Sequence, residues 1–248
     1  MPDIFRTSNP ALNPKALEGR AALGGEAMTL QGTVNKTGIL LLLAVVSAAW
    51  TWGLARSETP DAALPWMIGG MIGGLIVAIA TIFKKEWSPF TAPLYALLEG
   101  LALGGISSYL DLAYHGIAMQ AVGLTFGVLA VMLLLYTSGM VRATPKFTMG
   151  VIVATGGIFL VYLADMLLGF FGRHVPLLND SGPWGIAISL FIVVVASLNL
   201  ILDFGMIDTA VHAGAPKYME WYGAFGLMVT LVWLYLEMIR LMSKMRRR

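Results

Sequence analysis

The sequence predicts an all-α membrane protein built as a bundle of seven transmembrane helices. Of its 248 residues, 58% are hydrophobic and only 12% are charged, whereas soluble domains carry about twice that share of charge. Apolar runs long enough to cross a bilayer recur along the chain, and the ~10-residue alternating segments typical of membrane barrels are absent. Backbone groups in hydrocarbon must pair within their own segment, so each run is expected to be helical.

The chain divides into three parts. A polar leader, residues 1–36, precedes the first apolar run, so we expect that run to be a retained anchor and not a cleaved signal. A seven-helix domain follows at 37–242, and a basic tail at 243–248 ends the chain. Each span needs about 20 apolar residues, and the sequence supplies them near 37–56, 65–83, 92–112, 117–141, 149–171, 184–206 and 221–242.

The ends of the spans are marked independently of hydropathy. Short connections rich in proline and charge separate the runs, for example residues 84–89 and 142–146. Indole rings favour the membrane interface, and tryptophans stand at four run ends: Trp66, Trp87, Trp184 and Trp221. Close helix approach is also expected, because small residues recur at helical spacing: Gly69 with Gly73, Gly70 with Gly74, Gly100 with Gly104, and Gly123 with Gly127.

Basic residues near the span ends predict the orientation in the cell (inner) membrane. With the N-terminus inside, the outer loops hold only Arg56 and Arg173. The inner segments hold Arg6, Lys15, Arg20, Lys36, Lys84, Lys85, Arg142, Lys146 and Lys217. Basic residues favour the cytoplasmic side, so we expect a cytoplasmic N-terminus. Seven spans then place the basic tail outside, against that trend.

Several activities are excluded by what the sequence lacks. There is no cysteine, and the spans contain no lysine that could carry a retinal Schiff base. His115, His174 and His212 lie in or beside connections, and no Gly-x-Ser-x-Gly or phosphate-binding glycine motif occurs. We therefore expect neither an enzyme nor a cofactor, and no nucleic-acid partner.

Acidic residues within the spans are the candidate functional residues. They are Glu99, Asp165, Asp203 and Glu237. A charge at the bilayer centre costs roughly 2.5–3.5 kcal/mol on insertion scales, so such residues usually face a bundle interior or a water-filled path. Asp165 lies within two turns of its span's end and is expected to be interfacial. Glu99 fits either a pathway role or a polar contact between helices.

Asp203 and Glu237 are expected to form one site on the last two spans. Asn199 lies four residues before Asp203, so a neutral amide shares its helix face. If the two faces met, the carboxyls would share a proton near neutral pH, or their oxygens would bind a hard cation such as calcium. The alternative is that Glu237 pairs with Arg240, three residues later on its own helix.

These residues lie in recognisable surroundings, namely Leu-Glu99-Gly-Leu-Ala-Leu-Gly, Leu-Ile-Leu-Asp203-Phe and Leu-Tyr-Leu-Glu237-Met-Ile-Arg-Leu. Together with Asn9-Pro10-Ala11-Leu12 and Tyr218-Met219-Glu220-Trp221-Tyr222, they resemble the Bax inhibitor-1/YccA-like family of transmembrane Bax inhibitor motif proteins, bacterial branch. The resemblance implies two three-helix layers wrapped around a central last helix. It also implies a pH-sensitive calcium leak in which the acids at Asp203 and Glu237 pair and switch the path by protonation.

The sequence departs from that family in three ways, of which one is that the connection before the last span is extended by Ala213 through Tyr222. Glutamate stands at 237 where the family usually has aspartate, and no basic residue lies between Pro65 and Phe83 to join the pair. Besides the calcium or cation leak, two other functions stay open. One is a membrane interaction protein that modulates another membrane protein or its protease through the leader and tail. The other is proton-coupled transport of a small solute through the same carboxyls.

Overall fold

Seven long helices form the structure, a computed structural model that describes residues 26–57 and 60–247. All seven are long and apolar enough to cross a membrane, and no strand occurs in the described residues. The predicted all-α fold is therefore confirmed. The helices are α1 (Leu30–Ser57), α2 (Leu64–Phe83), α3 (Ser88–Ala113), α4 (Ile117–Thr137), α5 (Pro145–Gly169), α6 (Pro183–His212) and α7 (Met219–Arg246).

Proline sets the start of several helices. Pro65, Pro89, Pro145 and Pro183 lie at the first or second position of α2, α3, α5 and α6. Proline suits that place because its fixed φ is helical and the first backbone N–H groups of a helix have no partner within it. The prolines in the connections between apolar runs therefore mark where these helices begin.

The first and the last helix along the chain extend beyond the apolar runs of the sequence. α1 begins at Leu30, inside the leader as the sequence divides it. α7 continues through residues 243–246, so most of the basic tail is the last turn of a helix. Helical hydrogen bonding can continue into polar sequence, so α1 begins before its apolar run and α7 ends after its own. The rest of the predicted leader, residues 1–25, lies outside the described residues.

The last helix lies at the centre of the bundle. α7 packs against α1, α3, α4 and α6, and its buried side chains lie on every face. On one side of α7, α3 packs against both α1 and α2; on the other, α6 packs against both α4 and α5. These are the two three-helix layers around a central C-terminal helix that the resemblance implies.

The predicted glycine contacts form on one side of the bundle only. A Cβ added at Gly100 or Gly104 would overlap the α1 backbone, and one at Gly70 would overlap α3. Around Gly69, Gly123 and Gly127 there is open space. Glycine spacing alone does not distinguish a helix contact from a face turned to lipid, because a small apolar residue is compatible with either environment.

Candidate functional site

Asp203 faces the central helix across the α6–α7 interface. A methyl group placed on Gly226 of α7 would lie 3.9 Å from its Oδ1 atom, and the Thr230 hydroxyl faces the same carboxylate. The residue as a whole is half-buried. Its Oδ2 atom is fully buried and is the single buried side-chain oxygen or nitrogen without a hydrogen-bond partner in the described part of the chain.

This orphaned oxygen is the chemical anomaly of the bundle. A buried acceptor left without a donor costs about 1–3 kcal/mol, and more when it is charged. Either a proton or a cation would satisfy it. Asp203 is one of the residues singled out from the sequence, and α6 presents its carboxylate to a glycine and a threonine, neither of which neutralises it.

Asn199 lies one turn away but serves another contact. Its Nδ2 atom donates to Thr155 Oγ1 on α5 at 2.8 Å and to the Val195 carbonyl at 2.9 Å. Both amide protons are thereby used, so the group it turns toward any ligand is its carbonyl oxygen. Asn199 therefore ties α6 to α5 and is available to a cation only as a neutral oxygen.

Glu237 has its own complete set of partners. The residue is 2% exposed. Its Oε1 atom accepts from the Tyr162 hydroxyl at 2.7 Å and from Arg240 Nη1 at 3.0 Å. Arg240 also donates to the Tyr162 hydroxyl and stacks over that ring, 4.9 Å from its centroid. The alternative that Glu237 pairs with Arg240 is the arrangement found.

The structure does not bring Asp203 and Glu237 together. Asp203 lies at the level of Gly226 and Thr230, and Glu237 lies 11 and 7 residues further along α7. At a rise of 1.5 Å per residue these offsets correspond to about 10–17 Å along the axis. The sequence placed them on facing helices but could not fix their relative height. Glu237 instead binds the cation and the hydroxyl that are nearest to it.

Glu99 lies between α3 and α2. It accepts from Tyr95, one turn earlier on α3, at 3.1 Å, and it lies against Gly74 of α2. Its hydrogen bond therefore stays within α3, and no hydrogen bond from Glu99 to another helix occurs among the described residues. No group of three or more acidic or histidine residues that could hold a metal ion occurs in the part of the chain that the structure describes.

A polar cavity opens near one end of α6. Its volume is about 440 Å³, and it lies between the end of α4, the connection to α5 and α6. Arg142, Gly205 and Asp208 contribute to its lining, whereas Asp203 does not. At its wall the two backbones are close, because a Cβ on Gly205 would lie 2.8 Å from that of Ala143.

One charged cluster was missed by the sequence analysis. Glu220, in the first turn of α7, is completely buried. It accepts from the backbone N–H and the hydroxyl of Thr29, each at 2.8 Å, and it pairs with Lys36 and, at 3.2 Å, with Lys217. We call these four residues the Glu220 cluster. The hydrogen bond to Glu220 raises the pKa of Lys217 above its ordinary value.

A buried lysine at the opposite end of α7 was also missed. Lys244 is 4% exposed, and its Nζ atom donates to Ser189 Oγ at 2.8 Å and to the Gly185 carbonyl at 3.1 Å, both on α6. Its spacing of seven residues from Glu237 was the available signal, since it places both on one helix face. Lys244 stands among basic neighbours, which made it part of the predicted tail.

Comparison with known proteins gives one match. Residues 9–247, nearly the whole chain, match the family described as Bax inhibitor 1 like. No curated protein and no solved structure matches the chain.

Proposed function

Because the chain belongs to the Bax inhibitor 1 like family, we propose that it is a pH-sensitive leak for calcium and related cations across the membrane, gated by protonation of Asp203. The proposal keeps the ion path expected from the sequence and replaces the carboxyl pair by a single carboxyl. Glu237 takes a structural role in it.

The observation that carries the proposal is the buried Oδ2 atom of Asp203, which has no donor within the described residues. Ionisable residues inside membrane helices usually mark ion or proton pathways. Glu220 and Glu237, the other deeply buried glutamates, are each neutralised by basic side chains. Asp203 and Glu99 both lack a basic partner, but Glu99 accepts a hydrogen bond from Tyr95. The Oδ2 atom of Asp203 is therefore the oxygen for which a proton and a cation would compete.

The ligands available near Asp203 suit a leak better than a storage site. Calcium takes six to eight oxygen ligands, and here the protein offers the Asp203 carboxylate, the Thr230 hydroxyl and the Asn199 carbonyl. Water would supply the others. Conduction needs binding that is weak enough for the ion to leave, and one carboxylate with neutral oxygens meets that need.

In this proposal the structure represents the closed state. The polar cavity reaches Gly205, two residues from Asp203, but the carboxylate is not part of its lining. Close contact between Gly205 and Ala143 closes this wall. Opening would require residues 138–144, the connection between α4 and α5, to move away from α6.

Calcium flux into proteoliposomes tests the proposal. The full chain is reconstituted, and flux is measured between about pH 6 and 8, an interval in which ordinary carboxyls do not titrate. We expect pH-dependent flux in the wild type and pH-independent flux in Asp203→Asn. Equal pH profiles for the two proteins would overturn the proposal.

Two further variants test whether the flux is gated by Asp203 alone or by Asp203 together with Glu237. Asp61→Asn makes the same change at an exposed site and should leave the profile unchanged. Glu237→Gln should lower stability but keep the pH dependence of the flux that remains. If Glu237→Gln abolished the pH dependence as Asp203→Asn does, both carboxyls would belong to the gate and the single-carboxyl form of the proposal would fail.

The structure favours neither of the two other functions. The basic tail was expected to contact a partner, but Lys244 is buried, and Arg246 donates to Gln120 Oε1 at 2.8 Å and to the His115 carbonyl at 2.9 Å. These cations are used within the chain. Coupled solute transport would use Asp203 as well, and the flux experiment contains no solute, so flux there argues for a leak.

A further inference from the structure

An apolar groove runs along the lipid-facing side of the bundle between α1 and α4. Both helices pack against α7, yet within the described residues they scarcely touch each other. The space between them has a volume of about 390 Å³ and is floored by α7 and α3. Small side chains on α1, Ala44, Ala48 and Ala49, give it depth.

The groove exposes almost no polar surface. Three hydroxyls lie in its lining. Those of Ser107 and Tyr235 bond each other at 2.6 Å, and that of Thr125 donates to the Ala121 carbonyl at 2.8 Å. A hydrated cation would find no ligand here, so the groove is separate from the proposed ion path. Its occupant must be apolar along the whole length.

The surroundings identify the source of such an occupant. Val45 and Met119, on the two rims, are 58% and 73% exposed, and in a membrane those side chains face hydrocarbon. On α1 the groove extends from Leu41 to Trp52, which is about 16 Å at 1.5 Å per residue. Its volume lies within the range of about 300–1,000 Å³ usual for ligand pockets.

A lipid tail is the occupant that reaches this groove without a partner protein. An α-helix with its side chains is at least about 10 Å across, whereas an extended hydrocarbon chain is much thinner and can enter the recess beside the α1 alanines. The surrounding hydrocarbon supplies such chains along the whole face, and the charge at one end of the groove fits a lipid headgroup.

A cation stands one helical turn beyond the end of the groove. The Arg56 guanidinium lies 5.1 Å from the centroid of the Trp52 ring, and its side chain is 58% exposed. Its Nη2 atom pairs with Asp111 at 2.9 Å. A guanidinium has five N–H donors and matches phosphate geometry, so donors remain for an anionic headgroup at the mouth.

We propose that this groove binds one acyl chain of a glycerophospholipid whose phosphate is held by Arg56. The chain lies against the alanines of α1 and fills the space over Tyr235, and the headgroup lies at the Trp52 end. The site is independent of Asp203, so failure of the ion-leak proposal would leave it standing.

Native mass spectrometry of the full chain, purified in mild detergent, tests this site with phosphatidylglycerol as the probe. Ala49→Trp and Val45→Trp fill the groove from exposed positions and so spare the interior. Each should remove most of the bound lipid, because the indole ring occupies the space of the acyl chain and the van der Waals contacts that hold it are lost. Ala187→Trp makes the same change on the exposed face of α6 and should retain the lipid.

Two further arms identify the bound chemistry. Diacylglycerol with the same chains lacks the phosphate and should bind more weakly than phosphatidylglycerol, yet still be displaced by Ala49→Trp. Equal lipid retention in both groove variants and the wild type would overturn the proposal. So would a second protein chain released by Ala49→Trp, since the groove would then be a protein interface.

Discussion

Tyr162 on α5 donates a hydrogen bond of 2.7 Å to the buried carboxylate of Glu237 on α7. α5 packs chiefly on α6 and buries only Val151 and Ile158 deeply, so this bond is an important tie between α5 and the centre. We expect Tyr162→Phe to lower the free energy of unfolding by about 1–2 kcal/mol. Thermal unfolding in detergent measures it. Tyr109→Phe, on the exposed face of α3, should change nothing.

Arg240 compensates a charge that solvent cannot reach. We expect Arg240→Met to destabilise the protein by about 1–3 kcal/mol, since Glu237 would be left buried with only the tyrosine hydroxyl. The double variant Glu237→Gln/Arg240→Met should recover part of that loss, because the uncompensated charge is removed. Equilibrium unfolding of the two single variants and the double variant gives the coupling free energy between Glu237 and Arg240. Simple additivity of the two single changes would contradict the assigned pair.

Gly100 fixes how closely α3 approaches α1. A Cβ there would overlap Ser47 and the Ala44 backbone, so Gly100→Ala should destabilise by about 1–3 kcal/mol or prevent folding. Gly123→Ala is the matched control, since nothing lies near that position. There the better helix propensity of alanine should leave stability unchanged or raise it by up to about 1 kcal/mol. Melting temperatures of the two variants distinguish the outcomes.

The Glu220 cluster joins the start of α1 to the start of α7. We expect Glu220→Gln to destabilise by about 2–3 kcal/mol, because Lys36 and Lys217 lose their charged acceptor. Hydrogen exchange should rise first in residues 26–36, which the carboxylate holds through Thr29. Glu86→Gln, at an exposed position, serves as the control. Unchanged exchange in Glu220→Gln would show that the cluster does not hold this segment.

The same cluster predicts an alkaline limit to stability. The pKa of Lys217 is raised in the folded protein by its hydrogen bond to Glu220. Its contribution is therefore complete below the ordinary lysine value of about 10.4 and is lost as pH rises through the higher folded value. Melting temperatures of the wild type and Lys217→Met should differ at about pH 9 and converge at strongly alkaline pH. A constant difference would contradict this assignment.

Local contacts were the part of the site that could be predicted from the sequence. Glu237 and Arg240 are three residues apart on one helix, and their pairing needs no knowledge of the bundle. The Tyr162–Glu237 and Thr29–Glu220 hydrogen bonds join residues that are 75 and 191 positions apart in the sequence. Such partners depend on how far each helix is turned about its axis and on its height in the membrane.

The helices themselves could be predicted because apolar length alone decides them. Their lateral order could not be predicted that way. Lipid-facing and buried faces are both apolar, as Gly123 and Gly100 show by lying in open space and against α1, respectively. Placing α7 at the centre came from family resemblance, and the height of Asp203 against Thr230 came from the structure.

The central helix is held by polar contacts at both ends. Glu220 fixes its first turn to α1, and Lys244 fixes its last turns to the beginning of α6. Sliding or rotation of α7 would break buried charged contacts at two distant points at once. Any movement that exposes Asp203 must therefore come from the outer helices, which would turn about a stationary α7.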